Sequence, residues 1–212
     1  MVVHMKASSN AEFTYRMLVK KLGYSTEDYD GKLQEEMEFT IYARVPNFNQ
    51  IESLAVRKER HEQWDLPMDK PQSLDGRVRL RKVDDTLTTM TTKIRRRGRL
   101  GFEEVNAQIS EPLFDHLREF CKRGHHKTRY DIPTMEADLK WEVDVFMTQS
   151  GSPHHWVKID LEVDDFNRRI PDLPFEVEEC FFADEPNLPP EYKNLLDQLW
   201  NVEWVPISPK HE

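Results

Sequence analysis

The sequence predicts an α+β protein in which an antiparallel sheet is combined with helices, and three observations lead to this class. At least seven short runs are rich in Thr, Val, Ile and aromatic residues and are separated by polar, Gly or Pro turns, as strands are. Other intervals repeat apolar residues at helical spacing. Within the strand runs charged and apolar residues alternate, so each strand has a charged face and an apolar face.

The elements can be assigned in chain order. The predicted strands cover residues 35–45, 76–83, 86–95, 103–110, 127–132, 140–148 and 155–163. Helical spacing predicts helices over residues 49–64, 112–122 and 190–200, and a further helix near 12–22. We therefore expect a helical N-terminal extension over residues 1–34, one sheet-based domain over 35–205 and a C-terminal tail over 206–212.

Composition and charge exclude several classes of protein. No apolar run approaches the roughly 18 residues of a membrane span, and the start lacks the apolar core of a signal peptide, so a cytoplasmic protein is expected. Two cysteines, Cys121 and Cys180, are too few for a disulfide framework and are expected to be reduced. A net charge of -9 argues against general nucleic-acid binding, because affinity for the phosphate backbone comes from cations. The basic run over 93–99 is interpreted as a strand end and turn.

The charged faces of the predicted strands differ in sign from one strand to the next. A single charged face is usually the solvated side of a sheet. Whole strands of one sign are less usual, because crowded like charges repel unless an ion of opposite sign lies between them. The charged faces carry Glu36 and Glu38; Arg77, Arg79 and Arg81; Lys93 and Arg95; Glu104; Lys127, Arg129 and Asp131; Glu142 and Asp144; and Lys158, Asp160, Glu162 and Asp164.

This combination of side chains indicates a site for a metal ion and a phosphate. Carboxylate oxygens suit Mg²⁺ and Mn²⁺, and the guanidinium fork of arginine matches two phosphate oxygens at once. No G-x-x-x-x-G-K-[ST] loop, GxSxG elbow or CxxC pair occurs, so P-loop, serine-hydrolase and structural-zinc sites have no motif. The paired histidines at 125–126 and 154–155 are expected in loops beside Gly124 and Pro153 rather than at a metal.

The order of the charged runs resembles that of the CYTH family, also called triphosphate tunnel metalloenzymes, over residues 35–205. Glu36 and Glu38 are similar to the acids of its ExExK strand, and Thr40 stands in the place of the lysine. RVRLR over 77–81 resembles the LRxR strand, and TTK ending at Lys93 resembles the LTxK strand. The later matches are KTR at 127–129, WEVDVF at 141–146, VKIDLEV at 157–163 and the segment 175–196.

The resemblance implies a closed antiparallel β-barrel whose charged faces line a tunnel, with helices packed on the outside. It also implies metal-dependent hydrolysis of inorganic triphosphate, thiamine triphosphate or a nucleoside triphosphate. The expected partner is a small-molecule triphosphate or nucleotide, with an RNA 5′-triphosphate end as the one nucleic-acid alternative. The sequence gives no indication of oligomeric state.

The resemblance also implies roles for individual residues. Glu36, Glu38 and Glu162 are the predicted catalytic residues. The predicted ligands of one or two Mg²⁺ or Mn²⁺ ions are Glu36, Glu38, Glu104, Asp144, Asp160 and Glu162. The predicted phosphate-binding residues are Arg77, Arg79, Lys93, Lys127, Arg129 and Lys158.

Three positions depart from the family pattern. Thr40 replaces the signature lysine, Asn106 stands where a second glutamate is common, and Phe102 stands where an arginine is expected. These departures favour an alternative hypothesis, a non-catalytic module that binds a nucleotide or polyphosphate. A third hypothesis is an adenylyl cyclase, because class IV cyclases belong to the same family.

Overall fold

The computed structural model describes residues 37–66, 74–96, 103–121, 123–163, 169–183 and 188–200. For Met37 and for residues 74–76, 92–96 and 103–105 it describes the backbone but not the side chains. The predicted N-terminal extension, with its helix near 12–22, and the predicted C-terminal tail lie outside the described residues. No helix within these ranges combines the length and the hydropathy that crossing a membrane requires.

The described part contains nine strands and three helices. The strands are β1 (Met37–Arg44), β2 (Arg57–Leu66), β3 (Leu74–Val83), β4 (Leu87–Arg96), β5 (Glu103–Gln108), β6 (Arg123–Pro133), β7 (Lys140–Met147), β8 (Pro153–Val163) and β9 (Glu179–Phe182). The helices are α1 (Phe48–Leu54), α2 (Glu111–Arg118) and α3 (Pro190–Trp200). The helix predicted over 190–200 is confirmed, and the helix predicted over 112–122 is present but ends at Arg118.

All nine strands form one antiparallel sheet in the order β5-β4-β3-β2-β6-β7-β8-β1-β9. In this part of the chain β5 pairs with β4 alone and β9 with β1 alone, so these two strands are the edges and the sheet is open. The prediction of a closed β-barrel is therefore wrong. Closure requires the two edge strands to exchange hydrogen bonds, and β9 has only four residues, which pair with Ile41 to Arg44 of β1.

The open sheet nevertheless curls strongly. β3 lies five strand steps from β1, which is about 24 Å in a flat sheet. Even so, one side chain, Trp200 of α3, contacts both strands: its indole Nε1 lies 2.7 Å from the Tyr42 hydroxyl oxygen on β1, and its ring centroid lies 5.5 Å from the Arg79 guanidinium on β3. The charged faces of β3 and β1 must therefore face each other across a concave surface.

We call this concave surface the charged trough. Cross-strand register places its side chains on one face, because directly opposite residues of paired strands share a face. The described side chains that line it are Glu38, Thr40, Tyr42, Glu59, His61, Gln63, Asp65, Arg77, Arg79, Arg81, Thr91, His125, Lys127, Arg129, Glu142, Asp144, Phe146, Lys158 and Asp160.

The opposite face of the sheet carries the main hydrophobic core. Trp141, Val143 and Ile159 are each at most 1% exposed, and Ile51 of α1 packs into the same cluster. Each large apolar side chain buried in this way contributes roughly 1.5–3 kcal/mol. Phe114 of α2 is also fully buried. The alternation read from the sequence therefore separates a core face from the charged trough.

The third helix lies on the charged side of the sheet. Trp200, its last residue, packs edge-on against His125 at 4.7 Å and against Phe146 at 5.4 Å between ring centroids. Its indole Nε1 donates a hydrogen bond to the Tyr42 hydroxyl oxygen at 2.7 Å. The expectation that every helix packs on the outside is therefore wrong for α3, because its apolar stripe meets aromatic residues of the charged trough.

Local structure differs from prediction most at β2. The helix predicted over 49–64 ends at Leu54, and Arg57–Leu66 is a strand between β3 and β6. β6 begins at Arg123 and β8 at Pro153, so both histidine pairs lie in strands rather than in loops. Gly124 is required by packing, because a Cβ at this position would lie 2.4 Å from the Trp64 ring.

Candidate functional site

The charged trough brings most of the predicted site residues onto one face. Its described members are Glu38 from β1, Arg77 and Arg79 from β3, Lys127 and Arg129 from β6, Asp144 from β7, and Lys158 and Asp160 from β8. Glu162 lies opposite Glu38 and is exposed at the end of the trough. Glu36 lies outside the described residues. The backbone register places Lys93 opposite both Arg77 and Glu104, but the side chains of Lys93 and Glu104 are not described.

Asp144 is the centre of one network of ion pairs. Arg129 Nε donates to its Oδ1 at 2.7 Å and Arg129 Nη2 donates to its Oδ2 at 2.9 Å, which is a bidentate pair. Lys127 Nζ also donates to Asp144, and Arg129 Nη1 donates to Glu142. Burial alone would raise the pKa of Asp144, but Arg129 and Lys127 outweigh burial and hold this pKa well below its ordinary value. The carboxylate is therefore ionised and neutralised within the protein.

Lys158 is the centre of a second network. Its Nζ donates to Glu38 Oε1 at 3.0 Å and also to Asp160. Burial would lower the pKa of Lys158, but Asp160 and Glu38 outweigh burial and raise it. Thr40 Oγ1 donates to Asp160 Oδ1 at 2.8 Å. Thr40 therefore bonds to the acids beside it, and the cation between those acids comes from Lys158 on the neighbouring strand.

These two networks form the acid side of the charged trough, which comprises Glu38, Glu142, Asp144 and Asp160 with Lys127, Arg129 and Lys158. The arginine side comprises Arg77, Arg79 and Arg81 on β3. The two sides differ in how their charges are neutralised.

Arg79 is a buried cation on the arginine side whose charge is only partly neutralised by its neighbours. It is 8% exposed, and its Nε lies 3.5 Å from Asp65 Oδ1 without the alignment of a hydrogen bond. Burial lowers the pKa of Arg79 to about 10, and the charges of Arg77 and Arg81 add to this effect, which Asp65 only partly offsets. The Nε atoms of Arg77 and Arg79 are buried and make no hydrogen bond within the described structure. An anion placed here would relieve both the repulsion and the unmet hydrogen bonds.

β2 adds residues to the charged trough that sequence reasoning missed. Gln63 is fully buried, and neither its Oε1 nor its Nε2 makes a hydrogen bond in the described part of the protein. Burial lowers the pKa of His61 to about 2 and holds that of His125 well below its usual value, and Lys127 reinforces both shifts. Both histidines are therefore neutral at physiological pH. No local signal marks β2, because both faces of Arg57–Leu66 are polar except at Trp64 and Leu66.

An aromatic wall closes one end of the charged trough. Tyr42 stacks on Phe181 at 5.4 Å, and Phe181 contacts Tyr192 at 4.4 Å. The guanidinium of Arg79 lies 5.5 Å from the ring centroid of Trp200. Trp200 therefore touches residues of β1, β3, β6 and β7, of which β3 and β1 lie five strand steps apart in the sheet order. The aromatic wall consists of Tyr42, Phe146, Trp156, Phe181, Tyr192 and Trp200.

The described carboxylates do not by themselves form a metal site. No group of three or more His, Cys, Asp and Glu side chains converges to hold a metal ion within these residues. Asp144 and Asp160 already accept hydrogen bonds from lysine or arginine. A metal site would therefore depend on Glu36 and Glu104, whose side chains are not described, together with Glu38 and Glu162.

Comparisons with known proteins give a distant likeness of fold. No family model matches the sequence, and no curated protein matches it. The chain is similar to a solved structure described as a "putative adenylate cyclase" from Bacillus halodurans, at 12% identity and a TM-score of 0.32. The match covers 72% of this chain and 75% of the other. A likeness this weak is a hint of the fold and assigns no activity.

Proposed function

We propose that the charged trough binds a polyphosphate anion, either inorganic triphosphate or the triphosphate of a nucleotide, through the arginine side. The observation that carries this proposal is the state of Arg79. It is almost fully buried, and burial and two neighbouring arginines together outweigh the acids near it. Proteins rarely bury cations whose charge is only partly neutralised, because the desolvation cost is several kcal/mol for each ion. A chain of phosphates supplies the missing negative charge.

The acid side also supports phosphate binding by the arginine side, because its own cations already have carboxylate partners. Arg129, Lys127 and Lys158 are already paired with Asp144, Glu142, Asp160 and Glu38. These cations keep the floor of the trough close to neutral, so that the carboxylates do not repel an incoming anion. The arginine side therefore supplies the grip on phosphate.

The proposal can be tested by titration calorimetry of the full chain with inorganic triphosphate and with ATP. Arg79→Met keeps the side-chain bulk against Trp200 but removes the charge and the donors. Because a hydrogen bond to a charged group contributes roughly 1.5–3 kcal/mol, affinity should fall at least about tenfold. Arg60→Ala is the control, since Arg60 lies on the outer face, is 70% exposed and pairs with Asp85. Equal affinities for all three proteins would contradict the proposal.

A second candidate function is metal-dependent hydrolysis of the bound triphosphate. It is favoured by Glu38 and Glu162, which lie directly opposite each other on β1 and β8, where a cation stabilises facing carboxylates; Lys158 already donates to Glu38, and Glu162 is exposed. The alternation of the sequence predicts that Glu36, which lies outside the described residues, faces the same way. These three glutamates are the proposed Mg²⁺ or Mn²⁺ ligands and catalytic residues, and Glu104 is the proposed helper.

Hydrolysis can be separated from binding and from cyclisation by its products. Inorganic triphosphate, ATP, thiamine triphosphate and an RNA with a 5′-triphosphate end would be incubated with Mg²⁺ or Mn²⁺. Release of phosphate or pyrophosphate that is lost in Glu38→Gln would support the hydrolase, and a cyclic nucleotide would support the cyclase. Tight binding without any product would leave the polyphosphate-binding module as the function.

A further inference from the structure

The aromatic wall makes the charged trough blind at one end. Trp200 spans the trough from Tyr42 on β1 to Arg79 on β3, and Phe146 and His125 lie against it from the floor. Trp156, Phe181 and Tyr192 back this contact from outside, with ring centroids 4.4–6.0 Å apart. A ligand lying in the trough cannot extend past this wall without displacing several aromatic rings.

Tyr42 places a hydrogen-bond donor at the blind end. Its oxygen accepts the hydrogen bond from Trp200 at 2.7 Å, which fixes the ring and leaves the hydroxyl proton free of any partner recorded in the described structure. Burial raises the pKa of Tyr42 to about 12, so this proton stays on the oxygen at neutral pH. Lys158 lies opposite Tyr42 in the strand register.

Two cations approach this hydroxyl from opposite sides of the trough. Lys158 of β8 lies directly opposite Tyr42 in the strand register, and the guanidinium of Arg79 on β3 lies 5.5 Å from the centroid of the Trp200 ring that donates to the Tyr42 oxygen. An anion at the blind end would therefore meet the Tyr42 donor between an ammonium and a guanidinium. A terminal phosphate suits this position, because it has three unesterified oxygens and no organic group beyond it.

We propose that the ligand enters the charged trough terminal phosphate first, and that the Tyr42 hydroxyl binds this phosphate at the aromatic wall. This inference rests on the proposed polyphosphate binding and narrows its ligand class. Ligands need one free terminal phosphate, as inorganic triphosphate and nucleoside triphosphates have. Polyphosphates esterified at both ends are excluded, since one organic group would have to occupy the place of the wall.

The test compares inorganic triphosphate, ATP and diadenosine triphosphate by titration calorimetry with the full chain. Diadenosine triphosphate has the same number of phosphates but a nucleoside at each end. We expect the first two to bind and the third to bind at least about 30-fold more weakly, which corresponds to roughly 2 kcal/mol. Equal affinity for diadenosine triphosphate would overturn the inference. Failure of all three to bind would instead refute the proposed function.

A matched pair of variants tests the role of Tyr42. Tyr42→Phe removes the hydroxyl inside the trough, whereas Tyr192→Phe removes a hydroxyl of the same wall that donates to Glu179 instead. Affinity for inorganic triphosphate should fall about tenfold or more in Tyr42→Phe and stay within about twofold in Tyr192→Phe. Equal affinities would overturn the role of Tyr42. If Tyr42→Phe does not fold, the affinities of the unmodified chain for ATP and diadenosine triphosphate still show whether the ligand needs a free terminal phosphate.

Discussion

The acid side and the arginine side of the charged trough look alike in sequence but differ in the folded protein. Both come from strands on which charged residues alternate with apolar ones. On the acid side, Asp144 receives three hydrogen bonds from Arg129 and Lys127, and Lys158 lies between Glu38 and Asp160. On the arginine side, Arg79 has an ion pair with Asp65 at 3.5 Å and no hydrogen bond from its Nε.

This difference separates charges that hold the fold together from charges that, under the proposed function, a ligand neutralises. A self-neutralised network is stabilised by its own partners, so removing one member leaves the others buried and unpaired. On the arginine side, Arg79 has a loose ion pair with Asp65, and under the proposed function it gains further partners on binding. The two sides should therefore respond in opposite ways to loss of a single charge.

The largest expected effect on stability is on the acid side. Asp144→Asn keeps the side-chain shape but leaves Lys127 and Arg129 buried without their anion. Breaking a buried pair in this way costs roughly 3–5 kcal/mol, so the free energy of unfolding measured in urea should fall by that amount. Asp85→Asn, at a side chain that is 77% exposed, is the control and should cost less than about 1 kcal/mol. A loss equally small in Asp144→Asn would mean that the acid side does not stabilise the fold.

A smaller effect on stability is expected from lowering the pH, through His125 at the floor of the charged trough. The pKa of His125 lies well below that of an unfolded histidine, so its contribution to stability is complete above about pH 6.5 and is lost as pH falls. Between pH 7 and pH 5 this loss is at most about 2 kcal/mol for one histidine. His125→Gln should reduce the loss of unfolding free energy over this interval by up to that amount. An unchanged pH dependence would show that His125 titrates in the fold as it does in the unfolded chain.

The smallest expected effect on stability is on the arginine side. Arg79→Met removes a desolvated charge that repels Arg77 and Arg81, and the Asp65 side chain left behind is 37% exposed to water. The free energy of unfolding without ligand should therefore change by less than about 1 kcal/mol, and an increase is compatible with the repulsion. If the free energy of unfolding measured in urea fell by several kcal/mol, Arg79 would be a charge that stabilises the fold. The arginine side would then not differ from the acid side.

The alternation of charged and apolar residues was enough to predict most strands and the faces that they share. It could not predict β2, because Arg57–Leu66 contains no β-branched residue and its Glu, Gln, Lys and Arg residues are good helix formers. Hydrogen bonds to β3 and β6 on either side make it a strand. Such pairing is non-local and is not encoded in the local pattern.

Local sequence patterns could predict neither that the sheet stays open nor which charged side chains pair with each other. Closure depends on whether the two edge strands meet, and four-residue β9 pairs only with β1 among the described strands. Alternation placed Lys127 and Asp144 on charged faces, but only the register of β6 against β7 brings them into contact. The apolar stripe of α3 gave no indication that its partner would be the aromatic residues of the charged face.

The proposed division of roles between the arginine side and the acid side can be checked in a crystal structure of the full chain with inorganic triphosphate. If the arginine side binds phosphate, phosphate oxygens should lie within hydrogen-bonding distance, about 2.7–3.2 Å, of the Arg77 and Arg79 guanidinium groups, with the ion pairs of Asp144 intact. Triphosphate bound through Lys127 and Arg129 after rupture of those ion pairs, with Arg79 still against Asp65, would show that the acid side binds the ligand instead.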